Sequence, residues 1–364
     1  MATIVLCFIT ALVVVLISTP ALIKVAYLKR LVDEPGEERK LHVRRVPTIG
    51  GIIIFAATLF AFLLWSFSEF SEIPDPARSI NDFKYIAACM LILFFIGVKD
   101  DIIGMAPTKK LMGHLVVAFI LVIMADIRIT SMHGIMGINE LNEWASILLS
   151  VFTYTVIVNA INLIDGVDGL ASGVGSITCL AYGIWFFNVG ATEDAILAFS
   201  LGGALIGFLM FNFAPAKIFM GDSGSLTIGL IVSVLSIKLI EFDINEVPLS
   251  MTHISKPVFA MAALVYPLID TLRIFIYRAT RGISPFAADK NHLHHRLLEL
   301  GFTHGQTTFI IYGFSIFIIG LAALLPLEPT ISFLVVGGTA ILVSLVPVLL
   351  VRSKRKKQSI SHAG

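Results

Sequence analysis

The feature that most constrains this chain is a succession of apolar runs, each near the length needed to cross a bilayer. They lie at about 3–27, 48–66, 85–98, 111–125, 145–158, 171–188, 196–210, 223–240, 257–277, 308–325 and 331–351. A transmembrane helix needs about 20 apolar residues. Inside lipid, every backbone polar group must be satisfied within the segment. The pattern therefore predicts an all-α, polytopic bundle of about eleven spans. Charged residues make up only 14% of the chain and hydrophobic ones 57%, which leaves no room for a soluble domain. Residues 1–351 read as a single transmembrane catalytic domain and 352–364 as a basic cytoplasmic tail.

Orientation follows from where the basic residues fall. With the N-terminus outside, the inner segments hold 19 Lys and Arg against 4 in the outer ones. That asymmetry requires an odd number of spans and puts the C-terminus inside. The first run has no basic residue before Lys24, so it reads as a retained helix rather than a cleaved signal. Net charge is +1, which gives no sign of a nucleic-acid partner. Cys7, Cys89 and Cys179 are dispersed through apolar runs and form neither a disulfide framework nor a metal spacing. The tail Arg-Ser-Lys-Arg-Lys-Lys reads as a topology anchor on anionic lipid.

Residues with reactive chemistry gather in five inner clusters. Asp100 and Asp101 end the third run, with Lys109 and Lys110 following. Adjacent carboxylates repel, so the pair is either a solvated helix end or a site for a cation or a proton. Residues 159–171 carry Asn159, Asn162, Asp165 and Asp168 with Gly166 and Gly169, and no basic partner. Unpaired carboxylates at a membrane boundary suggest a metal or a polar ligand. Phe219 to Ser225 open the eighth run, where Asp222 stands either near an anion site or as a helix cap. His292, His294, His295 and Arg296 follow Asp289 and Lys290. No cysteine or second ligand pair accompanies them, so phosphate oxygens suit them better than zinc, and a solvated basic loop is the plain alternative. Lys40, His42, Arg44 and Arg45 precede Pro47 and Gly50-Gly51, either as a topology anchor or as phosphate-facing charge. Asp270 and Arg273, three apart in the ninth run, form an ion pair, structural or site-shaping. Acids for a divalent cation and bases for phosphates on one face suggest phosphoryl transfer. No Walker or kinase signature is present.

Taken together and in order, Asp-Asp, N-A-I-N-L-I-D-G-V-D-G-L-A, F-M-G-D-S-G-S and H-L-H-H resemble the polyprenyl-phosphate N-acetylhexosamine-1-phosphate transferases, from about Lys40 to Gly305. That family includes the muramoyl-pentapeptide translocase. It also includes the GlcNAc-1-phosphate transferases that start O-antigen (lipopolysaccharide), common-antigen and teichoic-acid assembly. The translocase usually carries three consecutive histidines. This chain has His292-Leu293-His294-His295 and eleven expected spans, and is similar to the bacterial undecaprenyl-phosphate GlcNAc-1-phosphate group.

The resemblance implies a bacterial inner-membrane enzyme with its site on the cytoplasmic face. It would transfer GlcNAc-1-phosphate from UDP-GlcNAc to undecaprenyl phosphate and release UMP, with Mg²⁺ or alternatively Mn²⁺, and would form a homodimer. It implies Asp222 as chief metal ligand with Asn162 nearby, Asp100 binding or deprotonating the lipid phosphate, and Asp101 supporting metal or phosphate placement. Lys109 or Lys110 would meet the lipid phosphate, and Phe219 would stack on uracil with Asp168 and Lys40 bonding the nucleoside. Asn159, Asn212 and Asp165 would belong to the sugar-nucleotide site, and His292, His294, His295 and Arg296 would hold the pyrophosphate or sugar. UDP-MurNAc-pentapeptide or another UDP-sugar is the sibling alternative, and a secondary transporter the distant one. A transporter would put its ionisable groups at mid-bilayer, whereas these lie in inner loops and span ends.

Overall fold

The computed structural model describes residues 1–33, 45–66, 76–282 and 291–361. Lys40, His42, Arg44, Asp289 and Lys290 lie outside them. All eleven apolar runs fall on helices. In chain order these are α1 (Ala2–Leu28), α2 (Gly50–Ser66), α3 (Pro76–Ile103), α4 (Pro107–Phe119, continued by a π-helical turn, Ile120–Met124), α5 (Glu143–Leu163), α6 (Leu170–Asn188) and α7 (Thr192–Asn212). They continue as α8 (Gly221–Glu241), α9 (Lys256–Ala263), α10 (Val265–Ala279), α11 (Leu293–Leu300), α12 (His304–Leu324) and α13 (Pro329–Ser361). Among the described residues, eight helices are long and apolar enough to cross a membrane, or nine when α9 and α10 count as one span.

Two features depart from the expected continuous helices. The run at 257–277 is broken: α9 and α10 meet at a 78° bend. Pro267, in the first turn of α10, has no N–H to donate back to α9. Among the described residues the fold also contains a short antiparallel ladder, β1 (Val32–Asp33) with β2 (Val46–Pro47), after α1.

Helix α8 is the axis of the bundle, buried along almost its whole length against α2, α3, α5, α6 and α9. Its sequence explains how a buried helix can carry so many hydroxyls. Thr227 Oγ1 donates to Ser223 O at 2.7 Å, and Ser236 Oγ to Val232 O at 2.6 Å, so they are satisfied within the helix. At the end of α8 away from the acidic clusters, Lys238 sits between Asp82 of α3 (3.0 Å) and Asp194 of α7 (2.9 Å). A cation near lipid depth is tolerated there because it is paired.

The opposite end of α8 is gripped by the segment entering α2. Phe219 donates its N–H to Pro47 O (2.7 Å), Gly50 to Phe219 O (3.0 Å) and Gly51 to Met220 O (2.7 Å). This approach needs glycine: a Cβ on Gly51 would lie 2.0 Å from Gly224 N. Gly221 turns the chain into α8 at φ +70°.

Candidate active site

The C-terminal ends of α3, α5 and α7 and the N-terminal ends of α4, α6 and α8 meet at one end of the bundle. Lys110, in the first turn of α4, is the hub. Its ammonium donates to Asp100 Oδ2 (3.2 Å), to Asn162 Oδ1 (3.2 Å) and to Asp222 Oδ2. Asn162 then donates through Nδ2 to Asp222 Oδ1 at 2.6 Å and to Ser225 Oγ at 2.8 Å. Four helices thus meet in a single polar knot, α8 contributing both Asp222 and Ser225. Lys109 points away and is exposed, so of the two adjacent lysines Lys110 is the one at the cluster.

The neighbouring acids divide their work. Asp100 joins the knot, whereas Asp101 caps α8. One Asp101 oxygen accepts the Asp222 N–H (2.6 Å), and the other accepts the Ser223 N–H (3.0 Å) and hydroxyl (2.7 Å). Its oxygens are therefore committed to backbone and hydroxyl donors, and it positions Asp222.

The turn between α5 and α6 lies beside this knot. Burial and the nearby Asp222 and Asp101 carboxylates hold the Asp165 carboxyl well above the usual carboxylate range, even with the Gly221 N–H bonded to it. Asp168 accepts the Ala216 N–H at 3.0 Å, tying the turn to the loop before α8. Its carbonyl accepts from Thr308 at 3.2 Å, and Gly169 O accepts from the Tyr312 hydroxyl, so α12 closes over the same turn.

The histidine segment reaches this turn from the other side. His294 is buried, its Nδ1 lies 3.0 Å from the Tyr266 hydroxyl, and among the described residues its Nε2 has no hydrogen-bond partner. That nitrogen faces Gly166, where a Cβ would stand 3.7 Å away. Burial holds the His294 imidazole well below its usual range. Asp270 organises the segment: it accepts the Leu293 N–H (2.8 Å), pairs with Arg273 (3.1 Å) and contacts His292 Nδ1 (2.8 Å). The Asp270–Arg273 pair thus forms as expected and also anchors the start of α11. His292 and His294 rings stack 5.3 Å apart, with His295 4.3 Å from His294.

Several residues expected at the site have other engagements. Asn212 is a buried staple: its Oδ1 accepts from Gly169 N (3.1 Å) and Ser172 Oγ (2.8 Å), and its Nδ2 donates to Ile218 O (2.9 Å). Asn159 donates back to Thr155 O within α5 at 2.7 Å. Arg296 bonds Glu299 at 3.0 Å and Asn291. The basic tail continues as helix, and Lys354 and Arg355 reach Glu299 of α11 at 3.0 and 2.6 Å. Phe219 is half-buried beside the knot, its backbone pinned by Pro47 and Gly50. Ser225 and Tyr266 were not singled out from sequence. Ser225 lies three residues after Asp222 on α8, a spacing that does place it on the same face. Tyr266 sits four before Asp270, in an apolar run where only that spacing distinguishes it.

The knot's donor set fits Mg²⁺. Asp100 Oδ2, Asn162 Oδ1 and Asp222 Oδ2 converge on one cationic point, held by the Lys110 ammonium. Hard oxygen ligands of this type suit Mg²⁺, which binds through one or two carboxylates and completes its shell from water and substrate phosphates. Among the described residues no group of three or more His, Cys, Asp or Glu side chains could hold a metal ion, so the set here is two carboxylates and an amide.

A polar knot fed by four helix ends, beside a buried histidine segment, gathers at one end of an apolar helical bundle the acids and cation that phosphoryl transfer at a membrane would use. The sequence profile of glycosyl transferase family 4 matches residues 83–240, which include Asp100, Lys110, Asn162 and Asp222. A decaprenyl-phosphate N-acetylglucosaminephosphotransferase of Mycolicibacterium smegmatis is 33% identical over 86% of this chain and 80% of its own length. An undecaprenyl-phosphate alpha-N-acetylglucosaminyl 1-phosphate transferase of Escherichia coli is 30% identical over 79% of this chain and 74% of its own. A protein of the same description from Yersinia pestis is 28% identical over 79% of this chain. The chain belongs to the polyprenyl-phosphate N-acetylhexosamine-1-phosphate transferase family.

Proposed function

We propose that this protein transfers GlcNAc-1-phosphate from UDP-GlcNAc to undecaprenyl phosphate, releasing UMP, as the first membrane step of a cell-envelope glycan. The carrying observation is the Asp100–Lys110–Asn162–Asp222 knot at one end of the bundle. The relatives named for the same transfer to decaprenyl or undecaprenyl phosphate support the reading. The excess of basic residues in the inner segments supports a site on the cytoplasmic face of an inner membrane, in a chain of eleven spans with its N-terminus outside.

In the reaction a lipid phosphate oxygen attacks the β-phosphorus of UDP-GlcNAc. The bond between that phosphorus and the bridging oxygen breaks, and UMP leaves with the electron pair. One phosphoanhydride replaces another, so catalysis rests on placement and charge neutralisation. A phosphate monoester has a second pKa near 6, so the acceptor arrives mostly as a dianion and needs no strong base. Bound Mg²⁺ would neutralise the diphosphate oxygens as charge develops on UMP. Asp222, Asn162 and Asp100 would hold it, and Asp101 fixes Asp222 through the first turn of α8. Lys110 meets the lipid phosphate. With Tyr266 donating to Nδ1, His294 carries its hydrogen on Nε2 and offers it to a pyrophosphate or sugar oxygen. Phe219 and the Asp168 turn border the nucleoside.

Purified protein supplied with undecaprenyl phosphate and either UDP-GlcNAc or UDP-MurNAc-pentapeptide tests the proposal. UMP forms from UDP-GlcNAc, and chelating divalent cations stops it. Efficient use of UDP-MurNAc-pentapeptide over UDP-GlcNAc would reverse the sugar assignment, and full turnover in excess chelator would remove the metal.

A further inference from the structure

We infer that Lys110 is a resident counter-cation standing on the divalent-cation position, which incoming metal displaces toward the lipid phosphate. The inference rests on reading Asp100, Asn162 and Asp222 as the metal's ligands, and it goes further by making the lysine and the metal alternatives at one place. The three N–H donors of an ammonium are matched here by three oxygens: Asp100 Oδ2, Asn162 Oδ1 and Asp222 Oδ2. These are the same oxygens the metal would use. An ammonium and a dication cannot share them, because the oxygens are few and the two cations repel at contact distance.

The arrangement has a physical reason on each side. Asp100 and Asp222 share the Lys110 ammonium, with side chains only 17% and 24% exposed, so the lysine neutralises two carboxylates held close together. When metal takes over that task, the lysine loses its partners. Its flexible four-carbon stem and its place in the first turn of α4 leave it free to swing. The acceptor supplies a new partner in its phosphate dianion. Lys110 would therefore link the two ligands: metal entry frees the ammonium for the lipid phosphate, and a phosphate that takes the ammonium strengthens metal binding in return. The acceptor would dock productively on metal-loaded enzyme and poorly on the metal-free form.

Lysine acylation reads this displacement directly in the unmodified, full-length protein. Detergent-solubilised enzyme without substrates is treated with an amine-reactive acylating reagent, with and without Mg²⁺, and the labelled peptides are quantified by mass spectrometry. Exposed Lys109 is the internal control. The expected result is a rise of about tenfold in the Lys110 rate on Mg²⁺ addition, with the Lys109 rate unchanged. A Lys110 rate that stays the same or falls under saturating Mg²⁺ overturns the inference. Mn²⁺ binding by electron paramagnetic resonance separates this failure from failure of the metal site. If Asp222→Asn binds Mn²⁺ as the parent protein does, the ligand assignment is wrong and the displacement falls with it. If Asp222→Asn abolishes binding while Lys110 remains unreactive in the parent protein, the site stands and the displacement alone is wrong. In the supporting case, undecaprenyl phosphate also tightens Mn²⁺ binding in the parent protein and leaves Lys110→Met unaffected.

Discussion

Asp101 holds Ser223 twice through one carboxylate oxygen, at 3.0 Å from its N–H and 2.7 Å from its hydroxyl, while the other oxygen takes the Asp222 N–H. The residue beside Asp100 is thus the cap of the helix that carries Asp222. Asp101→Ala removes three hydrogen bonds from the first turn of α8. Loss of a helix cap costs about 1–2 kcal/mol, and an ångström of misplacement can cost about 10²-fold in rate. The expected outcome is a lowered melting temperature together with a kcat down by about 10²-fold. Asp101→Asn, which keeps an acceptor oxygen, should lose less of both in parallel melting and UMP-release assays.

Contact between α2 and α8 is set by Gly51. An alanine there would place Cβ 2.0 Å from Gly224 N and 2.4 Å from Ser223 Oγ. Overpacking of this kind costs about 1–3 kcal/mol, and here it also pushes on the turn that carries Asp222. Gly51→Ala should lower both stability and activity. Gly313 of α12 has nothing within 4 Å of its Cβ position, so Gly313→Ala should leave stability unchanged or slightly raised. Thermal melts of the two variants side by side check the contrast.

Asn212 distinguishes a structural staple from a substrate contact. Removing its amide leaves the Gly169 N–H, the Ser172 hydroxyl and the Ile218 carbonyl without that partner. Asn212→Ala should destabilise the fold by about 2–3 kcal/mol. A raised KM for the sugar nucleotide at unchanged stability would instead place Asn212 in the binding site.

Acid should weaken the histidine segment. Burial holds the His294 pKa well below its usual value, while an unfolded histidine titrates near 6.5. The unfolded state therefore binds the proton first as pH falls. The His294 contribution is fully present above about pH 6.5 and is lost toward the folded value, at no more than about 1.4 kcal/mol per pH unit. Melting temperatures of the parent protein and His294→Asn between pH 7.5 and 5 should diverge most at neutral pH and converge on acidification.

Much of this arrangement is legible in the sequence, because apolar length and charged punctuation fix where helices start and stop. Asn162, Asp222 and the histidine segment stood out as polar groups at the ends of apolar runs, and the structure brings them to one end. Sequence could not divide Asp100 from Asp101 or Lys109 from Lys110. Adjacent helical residues point about 100° apart, and which one faces inward depends on helix rotation. The resemblance implies Asn212 in the sugar-nucleotide site, and nothing local in the sequence reveals that the start of α6 and the loop before α8 meet around its amide. The bend between α9 and α10 lies inside a continuous apolar run, where length and hydropathy alone do not mark a break.

The most direct test is UMP release from UDP-GlcNAc and undecaprenyl phosphate by Asp222→Asn, in an assay where the parent protein requires Mg²⁺. Asp222 takes Lys110 on one oxygen and Asn162 on the other, so the substitution removes the charge at the centre of the knot while keeping its shape. A loss of about 10²–10³-fold or more in a protein that still inserts and melts normally is the predicted result. Turnover within a few-fold of the parent, with the same Mg²⁺ requirement, would contradict it.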